Sequence, residues 1–270
     1  MNPIARPWII AALLGLMALI PVQGLAGMTP EEVKAYESYK LQAEKGDSIA
    51  EYNMGYCYYY GIGQAVDAAK AINWWRKAAA KGEANAMCFL AVCYESGLSV
   101  AQDAAAAVKL YRNAADQGHA LAQNNLGSCY ARGVGVEKNF TQATYWFLKA
   151  ATQGEANAQN SVGDIFFNGI GVQKDVSSAI NWWRKAADQG NASAQAKLGY
   201  HYFHGQGVQK DLIEAYAYWN LAANSDEDAR KKLEVLKKIL STEDQLRGQQ
   251  RLKEIQKDIE TRNTAKQAGK

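Results

Sequence analysis

His201 and His204 stand three apart in a stretch of helical pattern, a spacing that puts two imidazoles on one helix face and is the most metal-like arrangement in the chain. The arrangement is incomplete. No Glu lies between them as in H-E-x-x-H, and the third histidine, His119, sits in a connecting segment. His201 also occupies a recurring position held elsewhere by Cys57 and Ile165, so a packed imidazole is favoured over a ligand. His204 is expected nearer the surface, where it could touch a bound molecule. The run Gly205-Gln-Gly207-Val-Gln-Lys-Asp211 lacks both the third glycine of G-x-G-x-x-G and the Gly-Lys-Ser/Thr of a phosphate loop. No S-x-x-K, Lys-Thr-Gly or G-x-S-x-G string occurs, which removes the standard serine acylation constellations. Asp226 and Asp228 fall at a helix start, where carboxylates favour the helix dipole. No catalytic residue, metal or cofactor is expected, and function has to be sought on a surface that binds.

The elements that build such a surface are repeats. Gly169 to Gly190 contains Ala-Ile-Asn-Trp-Trp-Arg-Lys-Ala-Ala, and the same string returns between Gly61 and Gly82. The period is 36 residues: Gly82, Gly118, Gly154 and Gly190 form one series, and Met54, Leu90, Leu126, Val162 and Leu198 another. A fixed period of this size predicts a solenoid whose units bury their apolar faces by stacking. Five units, 47–82, 83–118, 119–154, 155–190 and 191–226, each read as helix, turn, helix. The second helix of each starts at Asp67, Asp103, Asn139, Asp175 or Asp211, side chains suited to capping free amides. It is expected to bury Ala179, Trp182 or Trp183, Ala186 and Ala187; Trp182, recurring as Trp74 and Trp146, is taken as core. In the second unit Ser99 replaces a turn glycine and Leu110 a Trp, which predicts a different turn and looser packing.

A capping helix is expected over 27–46, opened by Thr29-Pro-Glu-Glu32. Capping helices over 227–262 follow the repeats, with Leu246, Leu252, Ile255 and Ile259 covering the last one, and 263–270 reads as a disordered tail. The apolar run Trp8 to Ile20, then Pro21 and the small residues Gly24, Ala26 and Gly27, reads as a secretory signal peptide cut after Ala26, hence a periplasmic or secreted protein. Uncleaved, it would be the chain's only link to a membrane. With 270 residues, 48% hydrophobic and a net charge of +3 without a basic run, the chain suits a globular protein with no nucleic-acid footprint. Cys57, Cys93 and Cys129 hold one repeat position on successive helices, about 8–10 Å apart, too far for bridges. They read as small core residues, with Cys88 as a separate thiol.

Residues Ala158, Val162-Gly163, Phe166, Gly169-Ile-Gly171-Val172, Asp175, Ala179, Trp182-Trp183, Lys185-Ala-Ala187 and Gly190 resemble the Sel1-like repeat, a relative of the tetratricopeptide repeat. The resemblance covers 47 to about 226 and implies an all-α, right-handed α-solenoid of about five helix-turn-helix repeats with helical caps. It implies a non-enzymatic scaffold or adaptor binding a protein or peptide, with periplasmic modulation of envelope signalling among the roles. The alternatives are a cell-wall or β-lactam-binding hydrolase, as in the cysteine-rich branch whose second-helix cysteine is missing here, or a structural assembly subunit. By analogy with tetratricopeptide arrays, a concave groove would be lined by Tyr52, Tyr56, Tyr59 and Tyr60, then Cys88, Val92 and Glu95, then Asn124, Ser128 and Arg132. Asn160, Asp164, Phe167 and Asn168, then Tyr200, Phe203 and His204, would complete it.

Overall fold

A computed structural model describes residues 29–268, so the signal peptide expected over 1–26 lies outside the described residues. Within them there are thirteen α-helices and no strands. They divide into two units, one ending at His119 and one beginning at Ala120.

The N-terminal unit holds α1 (Pro30–Glu44), α2 (Ser48–Tyr60), α3 (Ala68–Ala80), α4 (Ala84–Ser96) and α5 (Ala104–Asp116). Each starts where its first free amides find an oxygen. Thr29 and Glu32 form a reciprocal capping box on α1, with the Glu32 amide donating to Thr29 Oγ1 at 3.2 Å and the Thr29 amide to Glu32 Oε2 at 2.9 Å. Asp67 and Asp103 cap α3 and α5 as expected. The cap of α4 is Glu83, whose longer carboxylate still accepts from the Ala86 amide at 2.6 Å.

The C-terminal unit holds α6 (Ala120–Arg132), α7 (Phe140–Thr152), α8 (Ala156–Asn168), α9 (Val176–Ala187), α10 (Ala192–His204), α11 (Leu212–Ala222), α12 (Glu227–Ile239) and α13 (Thr242–Ala268). Asn139, Asp175 and Asp211 cap the second helices α7, α9 and α11. The last helix does not stop near Thr261. It continues to Ala268, through residues assigned to a disordered tail.

One contact is repeated in every unit of the pattern. A small residue on the first helix lets the ring of the second helix lie against its backbone: Gly55 faces Trp75, Gly127 faces Phe147, Gly163 faces Trp183 and Gly199 faces Trp219. The equivalent pair in the second repeat is Ala91 and Tyr111, both 0% exposed, so packing there is not looser: a smaller ring leaves room for the extra methyl. The buried series is therefore Trp75, Tyr111, Phe147, Trp183 and Trp219. Of the series expected in the core, Trp146 is buried at 5% exposure, whereas Trp74 and Trp182 are half-buried, Trp182 with the Lys185 ammonium 4.1 Å from its ring.

The turn of the second repeat also departs from expectation. Ser99 takes φ 56°, the left-handed conformation that Gly63 and Gly171 adopt at 69° in the equivalent turns. The bonds that close the turn are kept, with the Asp103 amide donating to the Tyr94 carbonyl at 2.9 Å as Asp67 does to Tyr58 at 2.8 Å.

In the first, third and fourth repeats a polar staple ties the end of the second helix to its own first helix. Gln153 donates to Gln123 at 2.7 Å and Gln189 to Gln159 at 2.8 Å. In the first repeat Lys81 donates to Glu51 at 2.8 Å. Gln159 and Gln195 also donate to the carbonyls of Ala151 and Ala187, whereas the buried Glu51 has no proton donor to offer and its Oε2 is unpartnered.

α12 repeats the burial spacing of a first helix, one residue out of phase. Ala229, Leu233 and Leu236 are buried where α10 buries Ala194, Leu198 and His201. The place of Gly199 is taken by Glu234, so no further aromatic second helix could seat there, and the array ends. α13 instead packs on α9 and α11. Ile255 is buried in the cluster around Trp183, with Leu252 and Ile259 packed against it, while Arg251 pairs with Glu214 at 2.7 Å and Arg262 with Asp188. Leu246, expected to share this cover, is 61% exposed.

Candidate functional site: the first-helix face

In the N-terminal unit, Tyr52, Tyr56, Tyr59 and Tyr60 project from α2 and are all half-buried. They form one cluster. Tyr60 lies 4.5 Å from Tyr56 and 4.8 Å from Tyr59, and Tyr59 lies 5.4 Å from Trp75. Phe89 of α4, overlooked in the sequence, joins them at 5.7 Å from Tyr52 and 6.2 Å from Tyr56. Burial pushes the Tyr56 phenol up to about 12, so these rings stay neutral at ordinary pH.

Cys88 does not belong to this surface. It is 0% exposed, and desolvation pushes its thiol up to about 12. Val92 remains half-buried, and Glu95 accepts from the Tyr111 hydroxyl at 3.0 Å.

In the C-terminal unit Asn124 is likewise buried, its amide donating to Asn125 at 3.2 Å. Ser128 accepts from the exposed Arg132 guanidinium at 3.1 Å. The chemistry becomes denser on α8 and α10. Asp164 accepts from Trp183 Nε1 at 3.1 Å, and Lys197 donates to its two oxygens at 2.6 and 2.7 Å and to Asn160 Oδ1 at 2.9 Å. Asp164 thus holds the core indole with one hand and a surface ammonium with the other. Phe167 lies 5.5 Å from Trp183 and 5.3 Å from His201. The exposed Asn168 donates back to the Asp164 carbonyl.

His201 is a packed residue, 3% exposed, with Nδ1 2.8 Å from the Gln206 carbonyl; desolvation lowers its pKa against that bond. His204 is exposed, its ring centre 4.4 Å from that of Tyr200 and tilted 49° to it. Phe203 faces Trp219 at 5.3 Å.

Two hollows open on this face. A groove of about 600 Å³ is lined by Asp164, Phe167, Asn168, Lys197, Tyr200, Asp226, Asp228 and Lys232 among others. A smaller cavity of about 250 Å³ is lined by Tyr200, Phe203, His204, Trp219, Lys231, Lys232 and Val235. Tyr200 and Lys232 border both, with the ammonium 5.6 Å from the ring centre. Lys197, Lys231, Lys232, Trp219 and Val235 were missed in the sequence. For Lys197 a signal existed, since its repeat position reads Asn53, Phe89, Asn125, Ser161 and Lys197, as variable as any in the groove.

The model of the Sel1 repeat matches residues 48–83, 84–119, 120–155, 156–191 and 192–227. The chain belongs to the Sel1 repeat family. Sel1 repeat proteins are typically protein-interaction scaffolds, and most are non-enzymatic. Among solved structures, this Sel1 chain is similar to a protective antigen of uropathogenic Escherichia coli strains displaying an SLR fold, at 32% identity and a TM-score of 0.78. That match covers 89% of this chain and 52% of the other, so the chain spans about half the length of that relative. A Sel1 repeat protein from Oxalobacter formigenes is similar at 32% identity and a TM-score of 0.65, over 76% of this chain and 78% of its own. No match was found among curated proteins.

Proposed function

We propose that this Sel1 repeat protein is an exported adaptor that grips an extended segment of a protein partner along the first-helix face of its C-terminal unit, and that it modulates envelope signalling through that contact. The observation that carries the reading is the junction at Tyr200, where the groove of about 600 Å³ meets the apolar cavity of about 250 Å³. A groove rich in hydrogen-bonding side chains suits peptide backbone, and an adjoining aromatic cavity suits one anchoring side chain. Residues 1–26 support export, and amino-terminal sequencing of the recovered protein would then begin at Gly27.

Site-specific photocrosslinking in cells tests the binding face. A photoreactive residue at Asn168, exposed in the groove, is expected to capture a discrete partner, whereas one at Gln256, exposed on α13, is not. Equal capture at both positions, or capture at Gln256 alone, would remove binding from the first-helix face.

A further inference from the structure

α12 is a sixth first helix in all but phase, and this changes what its outward residues mean. With Leu233 at the place of Leu198, Val235 takes the place of Tyr200 and Ile239 that of His204. They prolong the groove side of the face, and they are 59% and 60% exposed. A helix that closes a repeat array ordinarily turns a polar side outward. Two exposed aliphatic residues in groove phase are the opposite of a cap, and Val235 forms a wall of the smaller cavity.

The charges at that cavity have one sign. Lys231 and Lys232 line it, and no carboxylate does; Asp226 and Asp228 open onto the larger groove instead. The partners of the two lysines lie one turn back on α12, Glu227 at 3.1 Å from Lys231 and Asp228 at 2.5 Å from Lys232. Both pairs are solvated, with side chains 72% and 63% exposed in the first and 41% and 74% in the second. Pairs of that kind hold weakly, so both ammonium groups are available to an arriving anion. Below them the walls are apolar, made by Phe203, Trp219 and Val235.

We infer that this cavity takes an apolar or aromatic side chain of a peptide that carries a carboxylate beside it, the side chain filling the hollow and the carboxylate meeting Lys231 and Lys232. The assignment rests on the proposed binding role of the face and names the chemistry of what is bound. A carboxylate at this rim gains charge-assisted hydrogen bonds without being fully desolvated. It also fixes the direction of the peptide, because the larger groove presents acids as well as lysines and offers no such preference.

A random peptide library selected on the purified chain tests this. Enriched sequences are expected to place Phe, Leu, Ile or Trp next to Asp or Glu. A synthetic selected peptide is then expected to bind the Lys231→Glu, Lys232→Glu double variant at least tenfold more weakly, with circular dichroism unchanged, and to weaken with added salt. Replacing the peptide's acid by its amide is expected to weaken binding to the original chain and to make no further difference to the double variant. Val235→Glu, at an exposed position, gives an independent loss. Enriched peptides without an acid, or equal affinity for the double variant, would overturn the carboxylate assignment while capture at Asn168 kept the adaptor reading alive. An empty selection together with no capture at Asn168 would end both.

Discussion

A methyl group built on Gly163 would sit 2.4 Å from Cδ1 and Nε1 of Trp183. The ring is 2% exposed and cannot withdraw, because its Nε1 is held by Asp164 at 3.1 Å. Gly163→Ala should therefore destabilise the fold by about 1–3 kcal/mol through overpacking, although alanine is the better helix former by about 1 kcal/mol. Ala91 against Tyr111 shows the compatible alternative. In a double-mutant cycle read by chemical denaturation, Trp183→Tyr is expected to relieve much of the cost of Gly163→Ala. Additive losses would mean that the ring and the glycine do not interact in this way.

The neighbouring tryptophans should separate cleanly in thermal melts. Trp183→Ala empties a buried site and should cost about 3–5 kcal/mol. Trp182→Ala removes a half-buried ring and a surface cation contact, and should cost about 1 kcal/mol. A larger loss at Trp182 would reverse the orientation of α9.

Ser99→Gly is expected to stabilise. A non-glycine residue in the left-handed region is strained by about 1–2 kcal/mol, and part of that relief is cancelled by the greater freedom of glycine in the unfolded chain. A rise in melting temperature checks this, with a fall indicating that the Ser99 side chain supports the turn.

Glu51→Gln should also stabilise, by about 1 kcal/mol. The amide keeps an oxygen for Lys81 and gains the donor that Gln159 and Gln195 use toward the carbonyl one repeat back. Denaturant titration of the variant would show a higher midpoint. A lower midpoint would mean that the charge of the Lys81 pair outweighs the unpartnered oxygen.

How much of this was legible follows from how each residue is constrained. The repeat phase, the Asp and Asn caps and the packed His201 could be read because each recurs at a fixed place in the 36-residue period. Trp182 and Trp183 could not be separated, since neighbours on a helix point about 100° apart and only the glycine across the interface selects between them. Cys88 and Asn124 share a repeat position with Tyr52, which is half-buried. Residue type does not decide burial there, since Asn124 is buried while Asn160 at the same position is half-buried; the neighbours across the interface decide it. Lys231 and Val235 were hidden because α12 slips one residue out of the period, so the groove positions had to be found from burial.

Raising the pH should weaken the fold through its thiols. Burial pushes Cys57 and Cys88 up to about 12 and Cys93 to about 11, against about 8.5 in an unfolded chain. The raised values mean the folded state retains protons that the unfolded state releases, so this stability is complete below about pH 8.5 and declines as pH rises toward the folded values. Equilibrium unfolding between pH 7 and 10 checks the slope. A Cys57→Ala, Cys88→Ala, Cys93→Ala variant should lose less on the same climb.

Glu234 in the glycine slot has a meaning for how such a molecule lengthens over generations. A duplicated segment inserted before α12 finds a glycine or alanine on one side and a ring on the other, and can join the stack without further change. A second helix placed directly after α12 meets a charged side chain where its aromatic ring has to lie. A second helix is therefore refused on α12 itself, so units duplicated within the array leave α12, its lysines and the apolar cavity together beside the last second helix, as a fixed address.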